Sequence, residues 1–251
     1  MKVNVICQRC REEALNRGTW VADIYMAPLT DDGVYKFTCR LGHENAVAWQ
    51  AFKFEYLFEM AIHAIADGYN REAVASATAS LERFYEFFYR AVSRKDGVPD
   101  EEVDRVWKRM RKQSERQLGT FMSLHLSRFK MAPDLLAENH KESKWEPSVQ
   151  FRNSVTHEGA VPTRDQAIAY CNRILNLIIP TLNALKRDMP ETLTELLIEH
   201  VQKLGGISGT SMTMSNGTTL ATITPEDAHP SSIVERLRYV EEQRTAGLPV
   251  W

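Results

Sequence analysis

The sequence predicts a mainly α-helical protein with small β-containing segments at both ends. Between residues 50 and 204, apolar residues recur at three-and-four spacing, which is typical of amphipathic helices. On either side, short runs of strand-forming residues are separated by Asp-Gly and Asn-Gly turns. We therefore expect a β-containing domain over residues 1–49, a helical bundle over residues 50–204, and a tail over residues 205–251 that holds a β-hairpin and a helix.

Two short strands are predicted near the N-terminus. Trp20–Met26 and Val34–Thr38 are rich in β-branched and aromatic residues, and Asp31-Asp32-Gly33 between them is typical of a turn. We expect these two strands to pair as a hairpin that ends directly before Cys39.

The bundle region divides into helices where Gly, Asp and Pro residues interrupt the helical period. One apolar helix, Asp165–Arg187, begins with a capping box formed by Thr163 and Gln166, and Pro180 is expected to bend or interrupt it. The expected helices of the bundle cover residues 50–65, Arg71–Arg94, Glu101–Lys130, Ser148–His157, Asp165–Arg187 and Pro190–Leu204.

In the tail, Asn216-Gly217 is the strongest short-range hairpin signal in the chain. It is flanked by Met212–Ser215 and Thr218–Ile223, which we expect to be the two strands. A last helix, Ile233–Arg244, is expected to begin after Ser232.

The composition is that of an ordinary folded protein, with 43% hydrophobic and 25% charged residues among 251. A net charge of −2 excludes a uniformly basic nucleic-acid coat protein and a strongly acidic disordered chain. No run of about 18 apolar residues is present, and residues 1–12 lack the apolar stretch of a signal peptide. We expect a cytoplasmic protein with no membrane partner.

Three cysteines and a histidine near the N-terminus have the spacing of a metal site. Cys7 and Cys10 form a Cys-x2-Cys pair, and Cys39 with His43 forms a second pair on the far side of the predicted hairpin. Zinc prefers four such ligands in a tetrahedron. The pattern predicts a zinc-knuckle or zinc-ribbon-like domain whose closed, four-ligand Zn²⁺ has a structural role and leaves no open position for catalysis.

The alternative interpretation is three reduced thiols and a surface histidine. Cys171 stands apart from this cluster, on the apolar face of a predicted helix, and we expect it to be a buried core thiol.

A second constellation lies in the segment from Phe151 to Gly159. Asn153 and His157 are four residues apart and share one face of a helix, with Arg152 one step around it. An imidazole can take a proton from a ribose 2′-hydroxyl, and a guanidinium can hold the phosphate whose charge grows during the attack. This chemistry requires no metal ion.

With these residues the sequence resembles the HEPN superfamily of helical-bundle proteins, whose motif is Arg, four to six residues and then His, often with Asn directly after the Arg. The order Arg152-Asn153-x3-His157 has this form, and the aromatic-rich run Leu81–Phe88 is similar to part of the family's first core hairpin. The resemblance covers about residues 50–190 and implies a HEPN-like bundle.

The resemblance further implies a metal-independent endoribonuclease that leaves a 2′,3′-cyclic phosphate and a 5′-hydroxyl. Its active site would be completed across a homodimer. Glu82 is a further catalytic candidate, because the family often carries a polar or acidic residue on its earlier helix. Roles in phage defence or in a toxin-antitoxin system, with an antitoxin or other partner protein, are implied as well.

One departure from the family pattern is Glu158, which stands where many members have Gly directly after His. Its carboxylate would either repel phosphate or favour the charged form of His157. The alternative interpretation of the motif is structural, with Arg152 paired to a carboxylate such as Glu82 and His157 at a helix cap. The protein would then be a non-catalytic adaptor that binds nucleic acid or protein.

Positive charge is concentrated in the predicted third helix. Residues 105–130 carry a net charge of +7, so the remainder of the chain carries −9. Such a concentration is typical either of a phosphate-backbone footprint or of a solvated helix face. The candidate RNA-binding residues are Arg105, Lys108, Arg109, Arg111, Lys112 and Arg116, and the same segment also contains Arg128 and Lys130.

Overall fold

The computed structural model describes residues 2–19, 24–133, 146–206, 210–213, 218–222 and 224–245. The strands are β1 (Lys2–Ile6), β2 (Ile24–Pro28), β3 (Val34–Thr38), β4 (Glu44–Trp49) and β5 (Thr210–Thr213). The helices are α1 (Gln8–Asn16), α2 (Lys53–Ala66), α3 (Asn70–Lys95), α4 (Asp100–Met110), α5 (Ser114–Phe129), α6 (Glu146–His157), α7 (Arg164–Asp188), α8 (Pro190–Gly205) and α9 (Ile233–Thr245). The prediction of a mainly helical protein with small β elements is confirmed.

The pairing of the N-terminal strands differs from the prediction. β2 pairs with β1, from Lys2↔Pro28 to Ile6↔Ile24, and β3 pairs with β4. The expected hairpin, in which the strand before the Asp31-Asp32-Gly33 turn pairs with the strand after it, is therefore wrong. Lys2–Ile6 alternates polar and apolar residues and offers β2 a partner whose buried face is compatible. Residues 20–23 of the expected first strand lie outside the described part of the chain.

Both antiparallel pairs bury their apolar faces against one another. Val3 and Val5 of β1 share a small core with Tyr35 of β3 and Val47 of β4, and the rings of Tyr25 and Phe37 lie 5.0 Å apart. These four buried side chains form a small core, as is usual where a small unit buries only a modest fraction of its surface.

The helical core is formed mainly by α2, α3, α5 and α7. α3 is central, since it contacts α2, α5 and α7 along its length. Aromatic residues dominate the contact between α3 and α5, where Phe88 and Phe121 meet edge to face at 4.9 Å. Both side chains are fully buried. This packing fixes how α3 and α5 lie against one another.

The third predicted helix, Glu101–Lys130, is wrong as a single element, because it breaks into α4 and α5. Gln113 has an extended backbone, and the side-chain amide of Gln117 donates to the carbonyl of Arg111 at 3.1 Å. Trp107 packs on Tyr89 of α3, while Phe121 packs on Phe88 and Tyr85, so α4 and α5 contact α3 through different side chains. The break contains no Pro or Gly, and tertiary packing therefore decides its position.

The predicted start of α7 is confirmed in detail. The Thr163 hydroxyl oxygen accepts from the Gln166 backbone N–H at 3.2 Å, and the Thr163 N–H donates to the Gln166 side chain at 2.9 Å. The helix continues through Pro180, so of the expected bend or interruption at this residue, the interruption does not occur. Cys171 is completely buried on α7, as expected. None of the described helices has the length and apolar character that a bilayer crossing requires.

The C-terminal hairpin is wrong as predicted. β5 extends the β3–β4 sheet by pairing in parallel with β4, from Ala46↔Thr210 to Trp49↔Thr213. Residues 218–222 form turns, and two of their backbone N–H groups donate to carboxylates of α2. Thr219 donates to Glu59, and Thr222 donates to Glu55 at 2.9 Å. The Asn216-Gly217 turn itself lies outside the described residues.

Glu55 joins residues 218–222 to α2, and it makes the folding stability of the protein depend on pH. Burial raises its pKa to about 7, although hydrogen bonds from Thr222 and Thr218 favour the carboxylate. The folded state therefore binds a proton more strongly than the unfolded state. We expect stability to fall as pH rises from about 4.5 to about 7, by on the order of 2–3 kcal/mol.

Urea unfolding at pH 5 and pH 8 checks this expectation, with Glu55→Gln as the matched variant. The wild type should lose more stability than Glu55→Gln between the two pH values. Equal losses in both proteins would show that Glu55 does not titrate as described.

Candidate functional site

The Cys/His cluster lies where the two antiparallel strand pairs meet. Cys7 follows β1 directly and Cys10 lies in the first turns of α1, while Cys39 and His43 flank the tight turn between β3 and β4. In that turn, the His43 backbone N–H donates to the Cys39 sulfur at 3.3 Å, and Gly42 has a φ of +83°, which glycine adopts without strain. The structure thus brings all four predicted ligands together from distant parts of the fold.

The distances within the cluster are those of a tetrahedral site. The four ligand atoms all lie within 4.8 Å of one another. Cys10 Sγ is 3.7 Å from Cys39 Sγ and 3.4 Å from His43 Nδ1, and Cys7 Sγ is 3.7 Å from His43 Nδ1. Metal–sulfur bonds of about 2.3 Å in a tetrahedron place two sulfurs about 3.8 Å apart. The cluster could therefore bind one metal ion.

The thiol chemistry also favours a cation. Burial raises the pKa of Cys7, but hydrogen bonds from the Cys10 backbone and from the Asn45 and His43 side chains outweigh it and bring the pKa to about 6. The pKa of Cys10 is raised to about 12 by burial and by its hydrogen bonds and charge interactions with Cys7 and Cys39. A positive ion between the sulfurs would favour their thiolate forms.

Arg152 lies on α6 at the edge of a cavity between α3, α5 and α7. Its guanidinium Nη1 is 3.5 Å from the hydroxyl oxygen of Ser114, and that hydroxyl donates to Glu82 on α3. No direct ion pair joins Arg152 to a carboxylate of the described residues. Ser114 therefore connects the two predicted site residues, and Arg152 remains partly exposed at the cavity.

Two tyrosines complete the wall beside Arg152. Tyr170 exchanges a hydrogen bond with Thr78 at 2.8 Å, whereas the buried hydroxyl of Tyr85 has no partner among the described residues. Burial raises the pKa of Tyr170 to about 12 and that of Tyr85 well above 10. Both hydroxyls therefore keep their protons at neutral pH. Because the Thr78 hydroxyl donates to the carbonyl of Val74, Tyr170 donates to Thr78. Of the two tyrosines it is therefore Tyr85 that can donate to a ligand.

His157 is the last residue of α6 and is exposed, as the sequence predicts. The helix ends there because Glu158 and Ala160 both donate to the carbonyl of Ser154 while Gly159 has a φ of +76°. Arg152 and His157 are five residues apart, so their side chains leave the helix about 140° from one another. Asn153 lies between them and is partly exposed.

The basic residues gather at the corner between α4 and α5, which we call the basic corner (residues 105–116). The six predicted RNA-binding residues are all exposed. Arg105 is paired with Glu102, but no described carboxylate lies within ion-pair distance of Lys108, Arg109, Arg111, Lys112 or Arg116. Farther along α5, Arg128 is neutralised by Asp96 and Asp188. Five unpaired cations are thus concentrated in the basic corner among the described residues.

Ser114, Tyr85 and Tyr170 are site residues that sequence reasoning missed. Ser114 and Glu82 are 32 positions apart and meet only because α5 packs on α3. The local signal is that Ser114 follows the cationic pair Arg111-Lys112 after one residue. Tyr85 lies within the aromatic-rich run Leu81–Phe88 and Tyr170 in no motif, and the place of both in the wall depends on helix packing.

Comparison with protein-family models, with curated proteins and with solved structures finds no match to this chain.

Proposed function

We propose that this protein is a metal-independent endoribonuclease with a HEPN-like bundle, active as a homodimer. The observation that carries the proposal is the continuity of the basic corner with the Arg152 cavity. Ser114, which contacts Arg152, begins α5 two residues after the unpaired cation Lys112, with only Gln113 between them. An RNA backbone bound along the basic corner would reach Arg152, because its phosphates are attracted to the exposed cations.

The roles follow from the chemistry of the side chains. His157 takes the proton of the ribose 2′-hydroxyl, and the 2′-oxygen attacks the adjacent phosphorus. Arg152 holds the phosphate as its charge grows, and Asn153 orients the two groups. The bond from phosphorus to the 5′-oxygen breaks, and that oxygen takes up a proton from solvent water. The products are a 2′,3′-cyclic phosphate and a 5′-hydroxyl.

The separation of Arg152 from His157 around α6 supports a site made by two chains. An arginine of one chain and a histidine of its partner can face the same phosphate when two α6 helices lie side by side. A regulatory protein that covers this face would act as an antitoxin, consistent with the proposed defence or toxin-antitoxin role.

For the N-terminal cluster we propose zinc. Three sulfurs and one imidazole nitrogen are the ligands of structural zinc sites, and four protein ligands leave no position for a reacting water. The ion would hold α1 and the β3–β4 turn together. It would take no part in RNA cleavage.

The test is incubation of the full-length protein with a mixed RNA pool in magnesium-free buffer, with and without EDTA. Wild type should cleave in both conditions, and the 5′ fragments should end in a 2′,3′-cyclic phosphate. His157→Ala and Arg152→Ala should each lose about 100-fold or more in rate, the usual contribution of an acid–base group. Gln150→Ala, exposed on the same helix, is the matched control and should cleave at the wild-type rate.

Two results would contradict the proposal. One is equal cleavage by wild type and His157→Ala, which would assign any activity to a contaminant. The other is cleavage that stops in EDTA while the protein keeps its zinc, because this would require a catalytic metal. Circular dichroism spectra establish that each variant is folded.

The second candidate function is a non-catalytic adaptor that binds nucleic acid or a protein through the zinc domain and the bundle. Its support is the contact chain from Arg152 through Ser114 to Glu82, which fastens α6 to α3 and α5 as a structural arginine would. An RNA-binding protein with no cleavage in any buffer would favour this function.

A further inference from the structure

The cavity beside Arg152 has features that phosphate binding does not use. It has a volume of about 70 Å³, several times the space that one water molecule needs, and it opens to solvent. Leu81, Leu118 and Val149 give it an apolar wall, while its polar lining includes Glu82 and Tyr85. Apolar walls with a few polar groups are typical of sites for planar organic ligands.

The polar lining of this cavity offers a ligand a hydrogen-bond acceptor, the Glu82 carboxylate, beside a donor, the Tyr85 hydroxyl. Glu82 presents two carboxylate oxygens, one of which accepts from the Ser114 hydroxyl. Tyr85 is 4% exposed and its hydroxyl has no hydrogen-bond partner among the described residues, although a buried hydroxyl without a partner costs free energy. A ligand that accepts from Tyr85 and donates to Glu82 would satisfy both residues.

We propose that this cavity is the base-binding subsite of the enzyme and that it selects guanine, with Glu82 as the specificity-determining residue. The inference rests on the proposed ribonuclease function, since it places the base next to the phosphate held by Arg152. It gives Glu82 a role in recognition in place of the catalytic role that the family resemblance implies.

Guanine is the base whose Watson–Crick edge matches the two oxygens of a carboxylate. Its N1–H and N2–H groups are adjacent donors, and O6 beside them can accept from the Tyr85 hydroxyl. Adenine and cytosine each present a ring nitrogen acceptor beside their amino group, and uracil presents one N–H between two carbonyls. Each of these would place a lone pair against a Glu82 oxygen, which costs binding energy. Single-stranded RNA exposes this edge, so a base can enter the cavity edge first.

Binding of non-cleavable oligonucleotides tests the proposal. The probes are 2′-O-methyl hexamers of adenine with one central guanine, inosine, cytosine or uracil, and the all-adenine hexamer, each titrated into the full-length protein. The guanine probe should bind on the order of ten- to a hundred-fold more tightly than the adenine probe, the discrimination of a good bidentate pair. Inosine, which lacks the N2 donors, should lie between them.

Two site variants and one control variant extend the test. Glu82→Gln replaces one acceptor with a donor, so it should lose the guanine preference and shift it toward adenine, whose edge has one donor and one acceptor. Glu72→Gln changes an exposed carboxylate on the same helix and should keep the wild-type preference. Tyr85→Phe removes only the unpartnered hydroxyl, and it should weaken binding of the guanine probe more than binding of the adenine probe.

The outcomes separate this inference from the function on which it rests. Cleavage of RNA by a protein that binds all five probes equally would overturn the guanine subsite and leave the ribonuclease. A guanine preference that Glu82→Gln abolishes, in a protein that never cleaves, would support the subsite and overturn the ribonuclease. If free guanosine monophosphate binds as tightly as the guanine hexamer, the cavity belongs to a free nucleotide and the RNA subsite is overturned.

Discussion

Cys39→Ser is expected to abolish metal binding and to unfold the N-terminal part of the chain. Zinc supplies an apparent binding free energy of about 10 kcal/mol or more in small domains of this kind. Among the described residues, the buried core that the two strand pairs share consists of Val3, Val5, Tyr35 and Val47, with partly buried apolar side chains around it. We expect this core to be too small to fold residues 2–49 without the ion, while the bundle keeps its own core.

The measurement is zinc content by mass spectrometry, combined with limited proteolysis. Wild type should contain one zinc per chain, and Cys39→Ser should contain none and be cut within residues 2–49. Cys171→Ala is the matched control, because Cys171 is buried in α7 far from the cluster in sequence. Wild type without metal, or equal zinc in wild type and Cys39→Ser, would refute the assignment.

Arg236→Met is expected to destabilise the protein by about 3–5 kcal/mol, the cost of leaving a buried charge without its partner. Glu59 is completely buried on α2, and the Arg236 guanidinium on α9 lies 3.3 Å from its Oε2. The other carboxylate oxygen accepts from the backbone of Thr219. Without Arg236, a single backbone donor would remain for the Glu59 charge among the described contacts.

Urea unfolding at pH 7 measures this loss, with Arg238→Met as the control on the same helix. Arg238 is exposed, and its replacement should change stability by no more than about 0.5 kcal/mol. The double variant Glu59→Gln/Arg236→Met removes both charges and should be more stable than Arg236→Met alone. A double variant no better than the single one would show that the ion pair is not the source of the effect.

The sequence predicts the helices well and the strand pairing poorly, for a physical reason. Amphipathic period and capping are local, so Thr163 and Gln166 are enough to mark the start of α7. Pairing depends on the partners that tertiary structure makes available. The N–H groups of Thr219 and Thr222 are taken by Glu59 and Glu55, although a strong hairpin signal lies just before them.

The same distinction applies to the candidate sites. The four ligands of the metal cluster could be predicted because Cys-x2-Cys and Cys-x3-His are local spacings that two turns bring together. The cavity beside Arg152 could be predicted only in part. Arg152 and Glu82 come from a motif and a family resemblance, but Ser114, which joins them, is placed by the packing of α5 on α3.

The parallel pairing of β5 with β4 has a consequence for the order in which the chain can fold during synthesis. Ala46 pairs with Thr210, so one edge of the N-terminal sheet has no neighbour until nearly all of the bundle has left the ribosome. Contacts between residues this distant are slow to form, and an open strand edge can pair with other chains in the meantime. The nascent protein must therefore carry an exposed β edge until Thr210–Thr213 has been synthesised.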